Sequence, residues 1–260
     1  MDRESTLMKY PVVEKFFAPQ GEGLYTGTPM AFIRLVGCSV GHSVCHACDT
    51  DFDRLMPTMG GGLFTAVELA AWALHAGYKH ACLTGGEPLD RDLRPLLLEL
   101  GSAGVLAHIE TSGTVVPWWL NAPEALEQRL AKHFVKLGSA RHLVAFENDP
   151  DRVVQGLCER FGWHDMAFWL TVSPKPGYKV KQLEIADEVK VVLHGLGPGP
   201  GWPTLDHALE WARAGKLVFV QPSNYKYAVD TDALQAALEV VSAYPGLRLS
   251  VQMHKILKSR

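Results

Sequence analysis

Three of the chain's five cysteines, Cys38, Cys45 and Cys48, fall inside the stretch GCSVGHSVCHACDTDF, with His42 and His46 between them. Thiols packed this closely in a turn-rich segment point to metal ligation, since cysteines that serve only as core are not usually bunched in turns. The spacing, C-x6-C-x2-C, leaves two chemistries level. Structural zinc takes four nitrogen or sulfur ligands, and either histidine would complete such a set. An iron–sulfur cluster held by three thiolates keeps one iron open for a substrate or cofactor. Cys82 and Cys158 each stand alone in an apolar strand or helix pattern and read as small core residues.

A second chemical signal lies downstream. LTGGEP, residues 83 to 88, closes an apolar run with two glycines, which let backbone groups approach a ligand, and then a carboxylate, which can meet an ammonium group. Such groups have to be placed by a scaffold, and the chain supplies one. From about residue 30 onward, short β-like runs alternate with helical periods, the pattern of βα units around a parallel sheet or barrel. Strands are expected at 30–37, 80–86, 106–113, 168–174, 188–195, 217–223 and 247–252. Helices are expected at 65–77, opened by a Thr65/Glu68 capping box, at 91–104 and at 204–215. In βα folds the C-terminal strand ends form the ligand face, so TGGE, ETSG, SPK and QPSN are expected to converge. Residues 115 to 165 interrupt the rhythm and read as an inserted subdomain with helices near 122–137 and 150–162. GLGPGPGWP, 195 to 203, is a loop.

Composition narrows the partners. At 260 residues the chain suffices for one large domain, and 47% hydrophobic with 20% charged residues excludes a disordered chain. A net charge of −3 carries no basic field for nucleic acid. The first residues lack the apolar core of a signal peptide, and no apolar run approaches membrane-spanning length. The expected setting is therefore the cytoplasm, with a small-molecule partner and neither nucleic acid nor membrane. An odd number of cysteines in that setting argues for metal ligation or buried thiols over disulfides.

Taken together, the three-cysteine motif after the first strand of the βα series and GGEP after the second resemble the radical S-adenosylmethionine (SAM) superfamily. Further strings narrow the likeness: PQGEG (19–23), GTPMAFIRLVGC (27–38), CDTDF (48–52), IETSGT (109–114), SPKP (173–176), EVKVV (188–192), VQPSN (220–224) and QMHK (252–255). In that order they resemble the 7-carboxy-7-deazaguanine synthase family over nearly the whole chain. The superfamily's usual spacing is C-x3-C-x2-C, three residues shorter than here, and Ala47 stands where relatives often carry an aromatic residue.

The resemblance implies an α/β fold, an incomplete parallel (βα) barrel of radical SAM type with a helical insertion near 115–165. It implies that Cys38, Cys45 and Cys48 ligate a 4Fe-4S cluster and that Thr50 gives its hydroxyl to Mg2+. SAM would be held by Gly86 and Glu87 at its amino end, and by the backbone of Ala47, Cys48 and Asp49. Ser173, Pro174 and Lys175, with Gln221, Pro222, Ser223 and Asn224, would line the rest. A pterin substrate would meet Pro19, Gln20, Gly21 and Glu22, then Arg34, Thr84, Glu110 and His254, and finally the carboxylate of Arg260. The implied reaction converts 6-carboxy-5,6,7,8-tetrahydropterin into 7-carboxy-7-deazaguanine with loss of ammonia, on the route to queuosine. It begins with one-electron cleavage of SAM to a 5'-deoxyadenosyl radical and ends with SAM regenerated. A homodimer and a flavodoxin-like or ferredoxin-like reductant are implied as well.

Each assignment has a plainer counterpart. Arg34 in AFIRLVG could be a buried ion-pair partner, although its fork suits a substrate carboxylate better. Glu22 could be a solvated turn residue, whereas Glu110, closing an apolar strand, is ill suited to packing. Lys190 between two valines reads equally as interior or surface. His42 and His46 are loop residues if three cysteines suffice, and Trp118 with Trp119 read as packing. The competing functions are another radical SAM enzyme, such as a glycyl-radical activase, and a non-enzymatic zinc or iron–sulfur module. The first leaves QGEG and QMHK without a purpose, and the second leaves GGEP, SPK and QPSN as unrelated loops.

Overall fold

Runs such as HACLTG and EVKVVL alternate apolar with polar or small side chains, and alternate residues of a strand face opposite sides of a sheet. The computed structural model describes residues 8–45, 48, 50–75, 77–117, 119, 168–193, 200–225 and 228–257. Among them are β1 (Lys9–Pro19), β2 (Pro29–Leu35), β3 (Gly62–Thr65), β4 (His80–Gly85), β5 (Leu106–Thr111), β6 (Phe168–Val172), β7 (Glu188–Leu193), β8 (Leu217–Pro222) and β9 (Arg248–Leu249). They form one open sheet in the order β3-β1-β2-β4-β5-β6-β7-β8-β9.

From β2 to β9 all neighbours are parallel. The expected parallel α/β architecture is therefore present, with one addition at the edge. β1 runs antiparallel to both β2 and β3, because residues 20–28 joining β1 to β2 are too few for a parallel crossover. β1 and β3 were not expected from the sequence. In β1 an irregularity between Val12 and Glu14 breaks the alternation that would have announced a strand. The expected strand at 247–252 shrinks to Arg248–Leu249, since the chain turns there into a short helix, Met253–Leu257.

Among the described residues, the longer helices all pack on one face. α1 (Ala66–His75) opens on the expected box: Thr65 N–H donates to Glu68 Oε2 at 2.7 Å, and Glu68 N–H to Thr65 Oγ1 at 3.2 Å. α2 (Arg94–Ser102) starts later than the pattern suggests, because Asp92 accepts the Arg94 N–H and Pro95 fits the first turn. α3 (Val180–Ile185), α4 (Leu205–Arg213), α5 (Thr231–Ala243) and α6 (Met253–Leu257) follow. α4 carries a capping box in which His207 replaces the usual acid. Ile33, Leu83, Ile109, Leu170, Val189 and Val191 point to this helical side and belong to the main core. None of the described helices is long and apolar enough to cross a membrane.

The other face is concave and polar. Register puts Arg34 beside Thr84, Cys82 beside His108, His108 beside Trp169, Glu110 beside Thr171, and Thr171 beside Glu188. The residues between them are the core residues just named, so the two faces separate cleanly. The expected helices at 122–137 and 150–162, and nearly all of the expected insertion, lie outside the described residues, as do His46, Trp118 and Cys158. Cys82 is fully buried, and Trp119 packs edge-on against Phe168, both as core.

Two glycines let the cysteine loop pass close to the turn after β4. Gly85 adopts φ +109°, and a Cβ on Gly86 would lie 1.6 Å from the Gly37 carbonyl oxygen. Gly86 N–H donates to Leu35 O at 2.9 Å and Glu87 N–H to Gly37 O at 3.0 Å, which ties the two segments together. Gly86→Ala is therefore expected to cost on the order of 3 kcal/mol in denaturant unfolding, since backbone must move. Gly104→Ala, at φ +69° in open space, should cost only about 1 kcal/mol for its backbone conformation. Equal losses for the two would contradict the packing argument.

Candidate functional site

The segments TGGE, ETSG, SPK and QPSN all end parallel strands at the same edge of the sheet. Glu87 joins two of them. Its Oε1 accepts from Thr111 Oγ1 at 2.6 Å and Leu89 N–H at 3.1 Å, while Oε2 accepts from Ser112 N–H at 2.9 Å and Ser112 Oγ at 2.5 Å. Burial pushes this carboxyl above its ordinary range, against the pull of those donors. With both oxygens so engaged, Glu87 braces the rim, and the carbonyl of Gly86 is the freer acceptor beside it. Ser112 O accepts the Lys175 N–H at 3.2 Å, and Thr111 O accepts the Ser173 N–H at 2.8 Å, which brings SPK against ETSG. Pro174 is buried beneath, and the half-buried Lys175 ammonium donates to Ser173 O at 3.1 Å.

The three thiols face this rim. Cys38, Cys45 and Cys48 are half-buried, and none is in a disulfide. The loop curls so that Cys48 N–H donates to Cys45 O at 3.1 Å. Burial pushes the Cys45 thiol up, Lys175 pulls it down, and Cys48, Cys38 and Glu87 raise it further. The thiols thus feel one another and the rim. Among the described residues no group of three or more His, Cys, Asp or Glu side chains is set to hold a metal ion. The donor chemistry, three sulfurs on one short loop, nevertheless suits a thiolate-bound cluster. His42 is a loop residue stacked on Phe52 at 4.3 Å. Ala47, Asp49 and Arg260, each expected at the site, lie outside the described residues.

Beneath the rim, the concave face carries a connected polar network. Gln20 Nε2 donates to Glu110 Oε1 at 2.9 Å, and Gln20 Oε1 accepts the N–H groups of Gly21 and Glu22 at 2.8 and 3.2 Å. The ammonium of Lys190 stands 2.5 Å from Glu22 Oε2 and 3.7 Å from Glu110 Oε2. Gln252 Nε2 donates to Glu22 Oε1 at 2.8 Å, and Asn224 Nδ2 to Gln252 Oε1 at 3.0 Å. Met253 N–H donates to Gly21 O at 3.1 Å, which sets the His254 ring against Gly21. Pro222, Gln221 and Ser250 lie alongside, with Ser250 Oγ donating to Gln221 Oε1, while Ser223 is half-buried at the end of β8.

Arg34 occupies a separate corner. Its guanidinium pairs with Glu14 at 3.3 Å, donates to Thr50 Oγ1 at 3.1 Å and stacks over Phe16. The ion-pair reading is thus realised, yet its Nε has no hydrogen-bond partner among the described residues, which leaves an edge for an anion. Thr84 sits beside it, half-buried, whereas Pro19 is exposed at the end of β1.

Sequence reasoning left Lys190 open between interior and surface, and gave Glu188, Gln252 and Glu14 no role of their own. The signal for the first two was EVKVV, where charges alternate with valines and so share the polar face. Gln252 and Glu14 carried no such signal. Lys190 is buried, and burial alone would lower its ammonium, but Glu110, Glu22 and Glu188 hold it above its ordinary value. Glu22 is kept below the carboxylate range, burial being outweighed by Lys190 and Gln252. Glu188 is pushed up to about 7 by burial, against the pull of Lys190. Its Oε2 accepts the Leu24 N–H at 2.9 Å.

A native carboxyl that titrates above its unfolded value binds a proton the unfolded chain has lost, so its stabilising contribution falls as pH rises from about 4.5 to about 7. Relative to Glu188→Gln, the natural protein should lose up to about 3 kcal/mol between pH 5 and pH 8, read from denaturant midpoints. A difference that does not change with pH would refute it.

Comparison with known proteins now has a site to refer to. No protein-family model matches the chain. It is 35% identical to the 7-carboxy-7-deazaguanine synthase of Bradyrhizobium diazoefficiens, covering 97% of this chain and 100% of that one. With the synthase of the same name from Escherichia coli K12 it shares 32% identity over 96% of this chain and 99% of the relative. The crystal structure of QueE from Escherichia coli superposes with a TM-score of 0.60 at 26% identity, covering 95% of this chain and 96% of that chain. An open, mostly parallel sheet with its polar motifs on one edge, and likeness over almost the full length of these relatives, place the chain in the 7-carboxy-7-deazaguanine synthase family.

Proposed function

We propose that the chain is an enzyme that converts 6-carboxy-5,6,7,8-tetrahydropterin into 7-carboxy-7-deazaguanine and ammonia, in the supply of queuosine. The observation that carries this reading is the network joining Gln20, Glu22, Glu110 and Lys190 beneath the rim that bears the three thiols. It gives QGEG and QMHK a common purpose, because Glu22 and Gln252 meet in it.

Cys38, Cys45 and Cys48 would hold a 4Fe-4S cluster; Gly86, the SPK segment and Gln221 to Asn224 would hold SAM. When bound, the two groups together supply a hydrogen-abstracting carbon radical. Everything else falls to side chains of this protein. Glu22 and Glu110 accept N–H bonds from the aminopyrimidinone edge of a pterin. Arg34, braced by Glu14 and Phe16, offers its unpartnered Nε edge to the substrate carboxylate. Thr50 lies within reach of the same anion and would share its oxygen between Arg34 and Mg2+. Tyr25, Phe32 and Trp169 wall off the floor of the concave face and exclude water there. His254, against Gly21, would close the pterin end. The reading extends to a homodimer working in the cytoplasm with a flavodoxin-like or ferredoxin-like reductant.

The deciding assay supplies iron-reconstituted protein, under anaerobic conditions, with the pterin, SAM, Mg2+ and a reductant, and looks for 7-carboxy-7-deazaguanine by mass spectrometry. Product is expected from the natural chain and none from Cys45→Ala. SAM cleavage without deazaguanine would overturn the substrate, and tightly bound zinc in place of iron would overturn the chemistry as well. Arg34→Lys, which keeps the charge but loses the fork, should raise KM for the pterin by roughly ten- to hundredfold with iron loading unchanged, the worth of a hydrogen bond to a charged group.

A further inference from the structure

Lys190 occupies the middle of β7, with a side chain only 3% exposed, and is not among the residues assigned above to substrate or cofactor. The two carboxylates it touches come from distant parts of the chain, Glu22 from the loop after β1 and Glu110 from β5. Each has a second hold: Gln252 Nε2 on Glu22 Oε1, and Gln20 Nε2 on Glu110 Oε1. Every oxygen of the pair is therefore approached from one side by a specific donor or cation. Without the ammonium, these two half-buried carboxylates would lose their shared counter-charge, and Glu22 would lose the cation that draws it below its ordinary value.

We infer that Lys190 is a positioning residue for the reaction: from the floor of the sheet it holds the Glu22 and Glu110 carboxylates together and aims them at the substrate. The inference rests on the function proposed above. A pterin presents adjacent N–H donors along its aminopyrimidinone edge, which an ionised carboxylate accepts and a protonated one, itself a donor, meets badly. Lysine is long enough to reach both acids from the floor of the sheet: its ammonium hydrogen-bonds to Glu22 and stands at ion-pair distance from Glu110. The titratable groups around this point are Glu22 from the hairpin loop, His254 from α6, Glu110 and His108 from β5, Cys82 from β4, Glu188 from β7 itself and Lys175 after β6. Of these only Glu22, Glu110 and Glu188 pull the ammonium up, and Glu188 lies at the lower end of the same small polar cavity, beside Tyr25 and Thr171.

The test compares the natural enzyme with Lys190→Met, Lys190→Arg and Gln252→Leu between pH 6 and pH 9. For each, KM and kcat for the pterin are measured beside iron content and SAM affinity. Lys190→Met is expected to raise KM about tenfold or more near pH 6.5, the worth of one charged hydrogen bond, and to recover toward the natural value as pH rises and Glu22 ionises unaided. Iron content and SAM affinity should not change. Lys190→Arg should keep the natural pH profile. Gln252→Leu, which leaves the buried ion pair intact and removes one hold on Glu22, should shift the profile the same way by less; it reads the same quantity if Lys190→Met fails to fold. A deficit equal at every pH, or loss of iron and SAM binding in step with KM, would reduce Lys190 to a structural ion pair. Natural protein that makes no deazaguanine overturns the function on which the inference rests; turnover with an unshifted profile in both Lys190→Met and Gln252→Leu overturns the positioning role alone.

Discussion

A sheet whose longer described helices all pack on one face must do something unusual with the other. Valine, leucine and isoleucine fill the helical side here, so the alternation of β-strands sends Arg34, Thr84, Glu110, Thr171, Glu188 and Lys190 to the concave side. Buried polar groups must be satisfied or neutralised, and this requirement shapes the whole interior. Glu22 and Glu110 share Lys190; Glu14 pairs with Arg34; Glu188 takes a backbone N–H and titrates near neutrality. Among the described residues no comparable set of charges occurs on the helical face, where burial is apolar and non-directional.

The rim depends on that interior but is built differently. Its backbone is held by short hydrogen bonds between consecutive strand ends, with Glu87 gathering Leu89, Thr111 and Ser112 around one carboxylate. Glycine makes the approach possible where the cysteine loop passes, since any side chain on Gly86 would collide with the Gly37 carbonyl. The result is a fixed ledge beside half-buried thiols that carry their own mutual repulsion.

Much of this was legible from residues alone, because strand and helix periods from residue 30 onward are strong and the capping box at Thr65 is local. The cysteine loop and the GGE turn were legible because their residue types do chemistry that packing does not need. Glu14, Gln252 and β1 were not. β1 lacks clean alternation, and a glutamine or glutamate becomes informative only when its partner is known, as Gln252 is by Glu22 and Glu14 by Arg34. Lys190 was half legible: valine on each side placed it in a strand, but only the carboxylates from two other elements decide that it faces inward. Glu87 shows the converse, a carboxylate whose motif points to a ligand and whose geometry also makes it a brace.

The hydrogen bond between Gln252 and Glu22 spans 230 positions of sequence, and Ser250 Oγ likewise accepts the N–H of Gly23. The QGEG loop is thus anchored by the part of the chain synthesised last of all described strands and helices. A polypeptide emerging from the ribosome can assemble β4 to β7 with their helices while the hairpin loop still has nothing to grip. The contacts that hold the QGEG loop are therefore complete only once residues 250 to 253 have docked against it.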